Sequence, residues 1–408
     1  MQNMIPTDND FDRWIERRGT DSIKWNLFDP DVLAMWVADM DFRSPQPIVD
    51  ALQQRVEHGV FGYPKEPPHL RDVVVDWISR RYGWKVSPDA LVFLPNVAVG
   101  FNLAVQAVGR PATGLLYQPP IYFPILDVPR NAGMEARPSQ LIRTDDGHYE
   151  IDFDDVERAA SDNCSAFILC NPHNPVGRAF TRDELERLGQ ICLKHDLFIC
   201  SDEIHADFVY DRRSHVPIAS IDPDIAGRTI TLIAPNKSFN VAGISCAVAV
   251  IPNQRLREQL EKARRGLVQH VGIMSYVITQ AAYTEGGEWL DSVVAYLQGN
   301  RDYTRDFVAR ELPGIEIAEV EGTYLAWLDC RGLGLSQNPH AFFLRQARVA
   351  MNDGARFGPG GEGFVRMNFA TPRSNLTEAL ERMRRALNER VACTSPTDVF
   401  FDPNTIHG

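Results

Sequence analysis

Between residues 90 and 251 short apolar runs recur at 90–94, 114–117, 165–170, 198–201, 229–234 and 246–251, with amphipathic stretches between them. Runs this short and this uninterrupted bury both faces best as strands of a mostly parallel sheet clad in helices. The pattern therefore predicts an α/β fold with helices on both sheet faces. Thr181-Arg182-Asp183-Glu184 is a capping box that opens a helix reaching about His195, and another helix is predicted from Gln254 to Gly266. After about Gly287 the character changes. A long amphipathic helix (289–312), strands over 324–328 and 364–369, and a helix near 376–387 predict a smaller α+β domain beside the first. The expected division is an arm over 1–45 packing with the small domain, a large domain over 46–287, a small domain over 288–391 and a tail over 392–408. The tail's Val399-Phe400-Phe401 could dock on the body.

Composition excludes several classes. The 408 residues are 44% hydrophobic and 24% charged, which a disordered or low-complexity chain is not. A net charge of -12 argues against a dedicated nucleic-acid or anionic-membrane binder, since phosphate contacts need clustered Lys and Arg. Seven cysteines, an odd number without CxxC spacing, read as free buried thiols in a reducing compartment. Residues 1–12 lack the basic and apolar regions of a signal peptide, and no run approaches the roughly 18 apolar residues of a membrane span. A cytoplasmic protein is expected.

Two familiar motifs fail on context. Gly358-Pro359-Gly360-Gly361-Glu362-Gly363 matches GxGxxG but precedes a strand, so it reads as a glycine-rich turn. Asp202-Glu203-Ile204-His205 resembles a helicase box, yet no GxxxxGK[ST] accompanies it. The ten histidines form no HExxH or close pair with carboxylates, and no metal is expected.

What remains is a set of polar residues at the C-terminal ends of successive strands, the edge where open parallel sheets bind ligands. After 90–94, the amides of Val97 and Ala98 would open a helix, a place suited to one phosphate group; alone, this is what every strand–helix turn offers. After 165–170, two X-Pro bonds stiffen Asn171 to Gly177 and hold Asn174 rigidly, as in any stiff turn. Asp202 ends a buried strand and needs a cation: a protonated pyridine nitrogen, or a neighbouring Arg or Lys. Lys237 stands among apolar and small neighbours in Pro235-Asn236-Lys237-Ser238-Phe239-Asn240; desolvation there would make it a nucleophile, although most lysines are solvated.

Taken in order, these residues resemble the pyridoxal 5'-phosphate (PLP) enzymes of fold type I, the aminotransferase superfamily, and within it the MalY/PatB-type cystathionine β-lyase subgroup. The likeness also rests on Lys24-Trp25, Met35 to Phe42, Phe61-Gly62-Tyr63, Gly286 to Asp291 and Phe357 to Phe364, and so spans nearly the whole chain. It implies PLP on Lys237 as a Schiff base, Asp202 on the pyridine nitrogen, and Asn174 with His205 at the phenolic oxygen. Tyr122 would stack on the ring and counts with Lys237 among the catalytic groups. Val97, Ala98 and Asn236 would hold the phosphate, with Tyr63 from a second subunit, which makes a homodimer part of the active site. Arg366 would fork onto the substrate carboxylate, and Ala38-Asp39 of the arm would lie beside the substrate.

The implied reaction is carbon–sulfur β-elimination from cystathionine or another S-substituted L-cysteine, giving a thiol, pyruvate and ammonia. An aminotransferase on the same scaffold, or a regulatory pyridoxal-fold protein, is the alternative. The chain departs from the subgroup pattern at Asn236, often serine there, and at Met351-Asn352-Asp353-Gly354 and Phe369 to Arg373, which lie on the expected substrate side. Ser245 stands where many aminotransferases place a phosphate-binding arginine.

Overall fold

The computed structural model describes residues 10–161, 163–244 and 246–393. Residues 1–9, Asp162, Ser245 and the tail from 394 onward lie outside the described residues. Seven strands form the central sheet: β1 Leu91–Leu94, β2 Gly114–Tyr117, β3 Glu135–Pro138, β4 Cys164–Cys170, β5 Phe198–Asp202, β6 Thr229–Ile233 and β7 Ala247–Val250. Their order is β1-β7-β6-β5-β4-β2-β3. β7 runs antiparallel to both neighbours, and every other pairing is parallel.

Alternation along each strand divides the side chains between two cores. On β4, Ala166, Ile168 and Cys170 join the cluster on one face, and Phe167 and Leu169 the cluster on the other. Both faces are therefore dry, as uninterrupted apolar runs require. The helix Val97–Val108 covers one face with Gln254–Arg264 packed on it, and Phe153–Ser161 and Arg182–Lys194 cover the other. The capping box is made in full: Thr181 accepts from the Glu184 amide at 3.3 Å and its own amide donates back to Glu184 at 2.7 Å.

β3 was not anticipated. It lies at the sheet edge, mostly exposed and ending in a proline, so it carries neither the apolar run nor the alternation that would mark a strand. Three further helices, Gln46–His58, Leu70–Tyr82 and Ile273–Glu285, pack on one another beside the sheet. The long helix spans Gly287–Glu311 and leads into a second, antiparallel sheet of β8 Glu316–Ile317, β9 Leu325–Asp329, β10 Asn352–Asp353 and β11 Phe364–Asn368, in the order β8-β9-β11-β10. The last helix, Arg373–Cys393, is longer than its apolar stripe suggested.

The arm is better ordered than its sequence pattern implied. Leu33–Ala34 pairs in parallel with Val349–Ala350, and backbone bonds tie Met35 to Ala350 and Asn368 to Met35. Its anchor is Asp41, 1% exposed, which accepts from Trp25 Nε1 at 2.8 Å, Lys24 Nζ at 2.9 Å and Arg17 at 2.9 Å. Lys24 is itself buried, so this is a desolvated cluster in which removing one charge strands the others. Asp41→Asn is expected to lower stability by about 3 kcal/mol, measured by urea unfolding.

Candidate active site

The C-terminal ends of β1, β2, β4, β5 and β6 converge on a cavity of about 390 Å³, closed on its far side by the arm and by Asn352 and Arg366. Its floor is Asp202, the last residue of β5. Asp202 is 3% exposed and its carboxylate accepts only a 3.2 Å bond from the Ile204 amide, with no cation within ion-pair distance among the described residues. Burial pushes its carboxyl up to about 7, against the opposing pull of Lys237.

Lys237 lies in the single helical turn Pro235–Ser238 after β6, and its Nζ donates to the Ala38 carbonyl at 2.5 Å. Burial, then the Arg366 charge, bring its ammonium down to about 8, against Asp39 and Asp202. The turn is held from below: Ser238 donates to Asp207 at 2.5 Å, and Tyr82 donates to the same carboxylate at 2.9 Å. Asn240 stitches the turn to the arm, donating to the carbonyls of Met40 and Phe42 and accepting from the Met40 amide. Tyr324 also donates to the Ala38 carbonyl, at 2.9 Å.

Arg366, on β11, is buried without a carboxylate partner. It donates to Asn174 Oδ1 at 2.9 Å, Asn352 Oδ1 at 2.6 Å and the Trp36 carbonyl at 3.1 Å, while its Nε has no acceptor. Burial lowers its pKa to about 10, which still leaves it charged at neutral pH. His205 is buried with Nδ1 unbonded, and burial, then Lys237 and Arg366, hold its pKa well below the usual histidine range. It is neutral, with a polar nitrogen in a cavity wall. Tyr122 and Asn174 line the same cavity, and burial, then Asp202, raise the Tyr122 phenol.

At one end, Asn96 caps the helix Val97–Val108 by accepting from the Val99 amide at 2.8 Å. The amides of Val97 and Ala98 are left free at this helix N-terminus, an anion-binding arrangement, with Asn236 alongside. Asn236 also accepts from the Cys246 amide at 3.3 Å.

The cavity thus gathers Ala38, Val97, Ala98, Tyr122, Asn174, Asp202, His205, Asn236, Lys237 and Arg366. Asp39 and Tyr63 do not line this cavity. Arg17, at 2.8 Å, and Lys24, at 3.4 Å, hold the Asp39 carboxylate in the arm's own cluster. Burial raises its pKa, but Lys24 and Arg17 outweigh burial and keep it below the ordinary value. Tyr63 is fully exposed at 106% and away from its own chain's cavity. Trp36, Phe123 and Ile204 line the cavity without having been singled out, and Asn352 does so from the 351–354 segment expected on the substrate side. Outside it, His148, Glu319 and Glu321 come close enough to share an ion, but Arg178 and Arg213 already bond Glu321.

The family model of class I and II aminotransferases matches residues 30–383. The chain belongs to this family. Among relatives of these aminotransferases, it is 39% identical over 389 residues to cystathionine β-lyase PatB of Bacillus subtilis strain 168, covering 93% of this chain and all of the relative. The crystal structure of OvoB superposes with a TM-score of 0.88 at 42% identity, covering 92% of this chain and 98% of the other. The PLP-bound C-S lyase of Staphylococcus hominis superposes with a TM-score of 0.88 at 33% identity, covering 93% and 99%. Family membership accounts for the mixed sheet and for a site at its strand ends.

Proposed function

We propose that the chain is a PLP-dependent carbon–sulfur β-lyase that cleaves S-substituted L-cysteines to a thiol, pyruvate and ammonia. The observation that carries it is Asp202: a buried carboxylate facing the cavity with no cation of its own, the complement of a protonated pyridine nitrogen. Three others fit the same group: a lysine softened to about 8, the free amides of Val97 and Ala98 for a phosphate, and the unpaired Nδ1 of His205 beside Asn174 for the phenolic oxygen. The PatB and C-S lyase relatives support elimination as the reaction.

Bound PLP supplies a carbonyl carbon for an amine and an electron-poor ring into which charge at Cα can spread. The chain's own residues do the rest. Arg366 receives the substrate α-carboxylate on its free edge, and Asn174 and Asn352 fix the plane of that guanidinium. Lys237, the residue that would hold PLP, would be the base that takes the Cα proton. The electron pair left at Cα expels the thiolate from Cβ and breaks the C–S bond. The thiolate takes up a proton, and the released enamine adds water to give pyruvate and ammonia. Tyr122, in the cavity wall, would stack on the ring.

The same residues would support transamination, with the proton returned elsewhere, and this is the second reading. Thiol and pyruvate released in equal amounts from S-ethyl-L-cysteine test the first. The lysine's lowered pKa gives an independent expectation for cofactor loading. At pH 7 a pKa of about 8 leaves roughly a tenth of Lys237 neutral, on the order of 300 times more than an unperturbed lysine. The rate at which apoprotein takes up PLP, followed by absorbance, should rise from pH 6 to about 8 and level off above.

A homodimer with Tyr63 reaching the partner's phosphate site belongs to the same proposal. Supporting it, Val56, Val60, Phe61 and Tyr63 form an exposed apolar stretch. The division into an arm to 45, a large part over 46–287 and a small part over 288–391 is supported by the two separate sheets. A cytoplasmic location is supported by Cys164, Cys170, Cys192, Cys200, Cys246 and Cys330, which are free and buried. No described helix is long and apolar enough to cross a membrane.

A further inference from the structure

The carbonyl of Ala38, in the arm, accepts from Lys237 Nζ at 2.5 Å and from Tyr324 Oη at 2.9 Å, so both of its lone pairs are used. Its neighbours in the chain are gripped as well. Asn368 Nδ2 donates to the Val37 carbonyl at 2.6 Å and to the Asp39 carbonyl at 2.7 Å, while its Oδ1 accepts from the Ala370 amide at 2.7 Å. Asn368 ends β11 opposite Leu325, the first residue of β9. The small sheet therefore brings Asn368 and Tyr324, which precedes Leu325, to the same three residues of the arm.

Tyr324 is aimed at this place by a costly backbone. Thr323 is β-branched and buried, yet its φ is 68°, in the left-handed region that such residues avoid. Three bonds hold it there: its amide donates to the Phe208 carbonyl at 2.9 Å, its carbonyl accepts from Tyr210 Oη at 2.6 Å, and its Oγ1 accepts from the Leu325 amide at 3.2 Å. Strained backbone over-determined in this way clusters where a fold must aim a group. The Tyr324 ring is boxed by His205 at 5.6 Å and Phe208 at 5.0 Å. Burial, then Asp39, raise its phenol well above the usual tyrosine range, so it keeps its proton and stays a donor.

We propose that Tyr324 is a positioning residue for the base: it fixes the Ala38 carbonyl as the acceptor for one N–H of the free Lys237 amine, which leaves the amine's lone pair for the substrate Cα proton. The proposal rests on the part given to Lys237 above and is independent of sulfur loss. Arg366, Asp39, Asp202 and the neutral His205 face Lys237, but among the described residues no carboxylate comes within ion-pair distance of it, so the direction of its amine is left to Ala38. When Lys237 leaves that carbonyl to hold PLP, Tyr324 is the donor that remains, and the acceptor is still in place when the amine is freed.

The test uses L-alanine, which has no leaving group, and PLP-loaded protein in D₂O, with exchange of the Cα proton for deuterium read by NMR. Tyr324→Phe keeps the ring and should slow exchange at saturating alanine roughly tenfold, with the dissociation constant of alanine, read from visible absorption, within about twofold of the parent's. A second reading needs no turnover. In apoprotein the Ala38 carbonyl of Tyr324→Phe still has Lys237, whereas in Lys237→Ala the phenol is its remaining donor. Tyr324→Phe should therefore cost roughly 2 °C more in melting temperature when made in Lys237→Ala than in the parent apoprotein. Unchanged exchange at saturation, or equal losses in the two backgrounds, overturns the proposal. A parent protein that exchanges nothing overturns it together with the reading of Lys237 as base. Exchange that is slowed in Tyr324→Phe upholds it even if S-ethyl-L-cysteine yields no pyruvate, in which case the lyase reading alone has failed.

Discussion

Lys237→Ala is expected to lower pyruvate formation by on the order of 10² to 10⁴, the range a positioned general base supplies. The variant should fold. The Lys237 side chain makes one hydrogen bond, to the Ala38 carbonyl, and Tyr324 still satisfies that carbonyl when the lysine is gone. The turn that carries it is held by Asp207 and Asn240 through neighbouring residues. Removing a desolvated ammonium without a close carboxylate partner also relieves a buried charge, so the melting temperature should be equal to the parent's or higher. Loss of activity together with loss of fold would assign Lys237 a structural part instead.

The second large effect belongs to Arg366. Arg366→Leu is expected to reduce kcat/KM by about 10³, near 4 kcal/mol, because a buried two-point hydrogen bond between ions is lost at a site that excludes water. Stability should not follow. Arg366 is buried with three neutral acceptors and no acid, so its desolvation is offset only in part, and an apolar side chain beside Phe357 suits the space. Arg366→Lys should recover little, since an ammonium cannot span Asn174 and Asn352 and still present a fork to the substrate. A fall in kcat/KM matched by a fall in the urea midpoint would contradict this, as would near-complete rescue by lysine.

Much of the site could be read from the sequence because a parallel sheet collects its ligand residues at one edge. Each apolar run therefore names its candidates by the polar residues that follow it, as with Asp202 after 198–201 and Lys237 after 229–234. The reading failed where neighbours come from remote positions. Asp39 and Asp41 stand two apart in the same arm, and nothing local says that Lys24 and Arg17 take both carboxylates. The pairing of Asn352 with Arg366 is invisible for a similar reason, since their register exists only once β10 pairs with β11. Asp207 supports Lys237 from a turn some thirty residues earlier in the chain. The edge strand β3 lacks the burial that would have given it a pattern.

The central claim is elimination, and the number of turnovers per subunit without any oxo acid tests it most directly. Purified PLP-loaded protein would be given an S-substituted L-cysteine alone, and pyruvate counted against enzyme. Elimination leaves the cofactor unchanged after each cycle, so pyruvate should exceed enzyme by a hundredfold or more, on the order expected at ordinary turnover numbers, and vanish in Lys237→Ala. Product that stops at about one equivalent per subunit, resuming only when an oxo acid is added, would contradict the account and make the chain an aminotransferase in activity as well as in family.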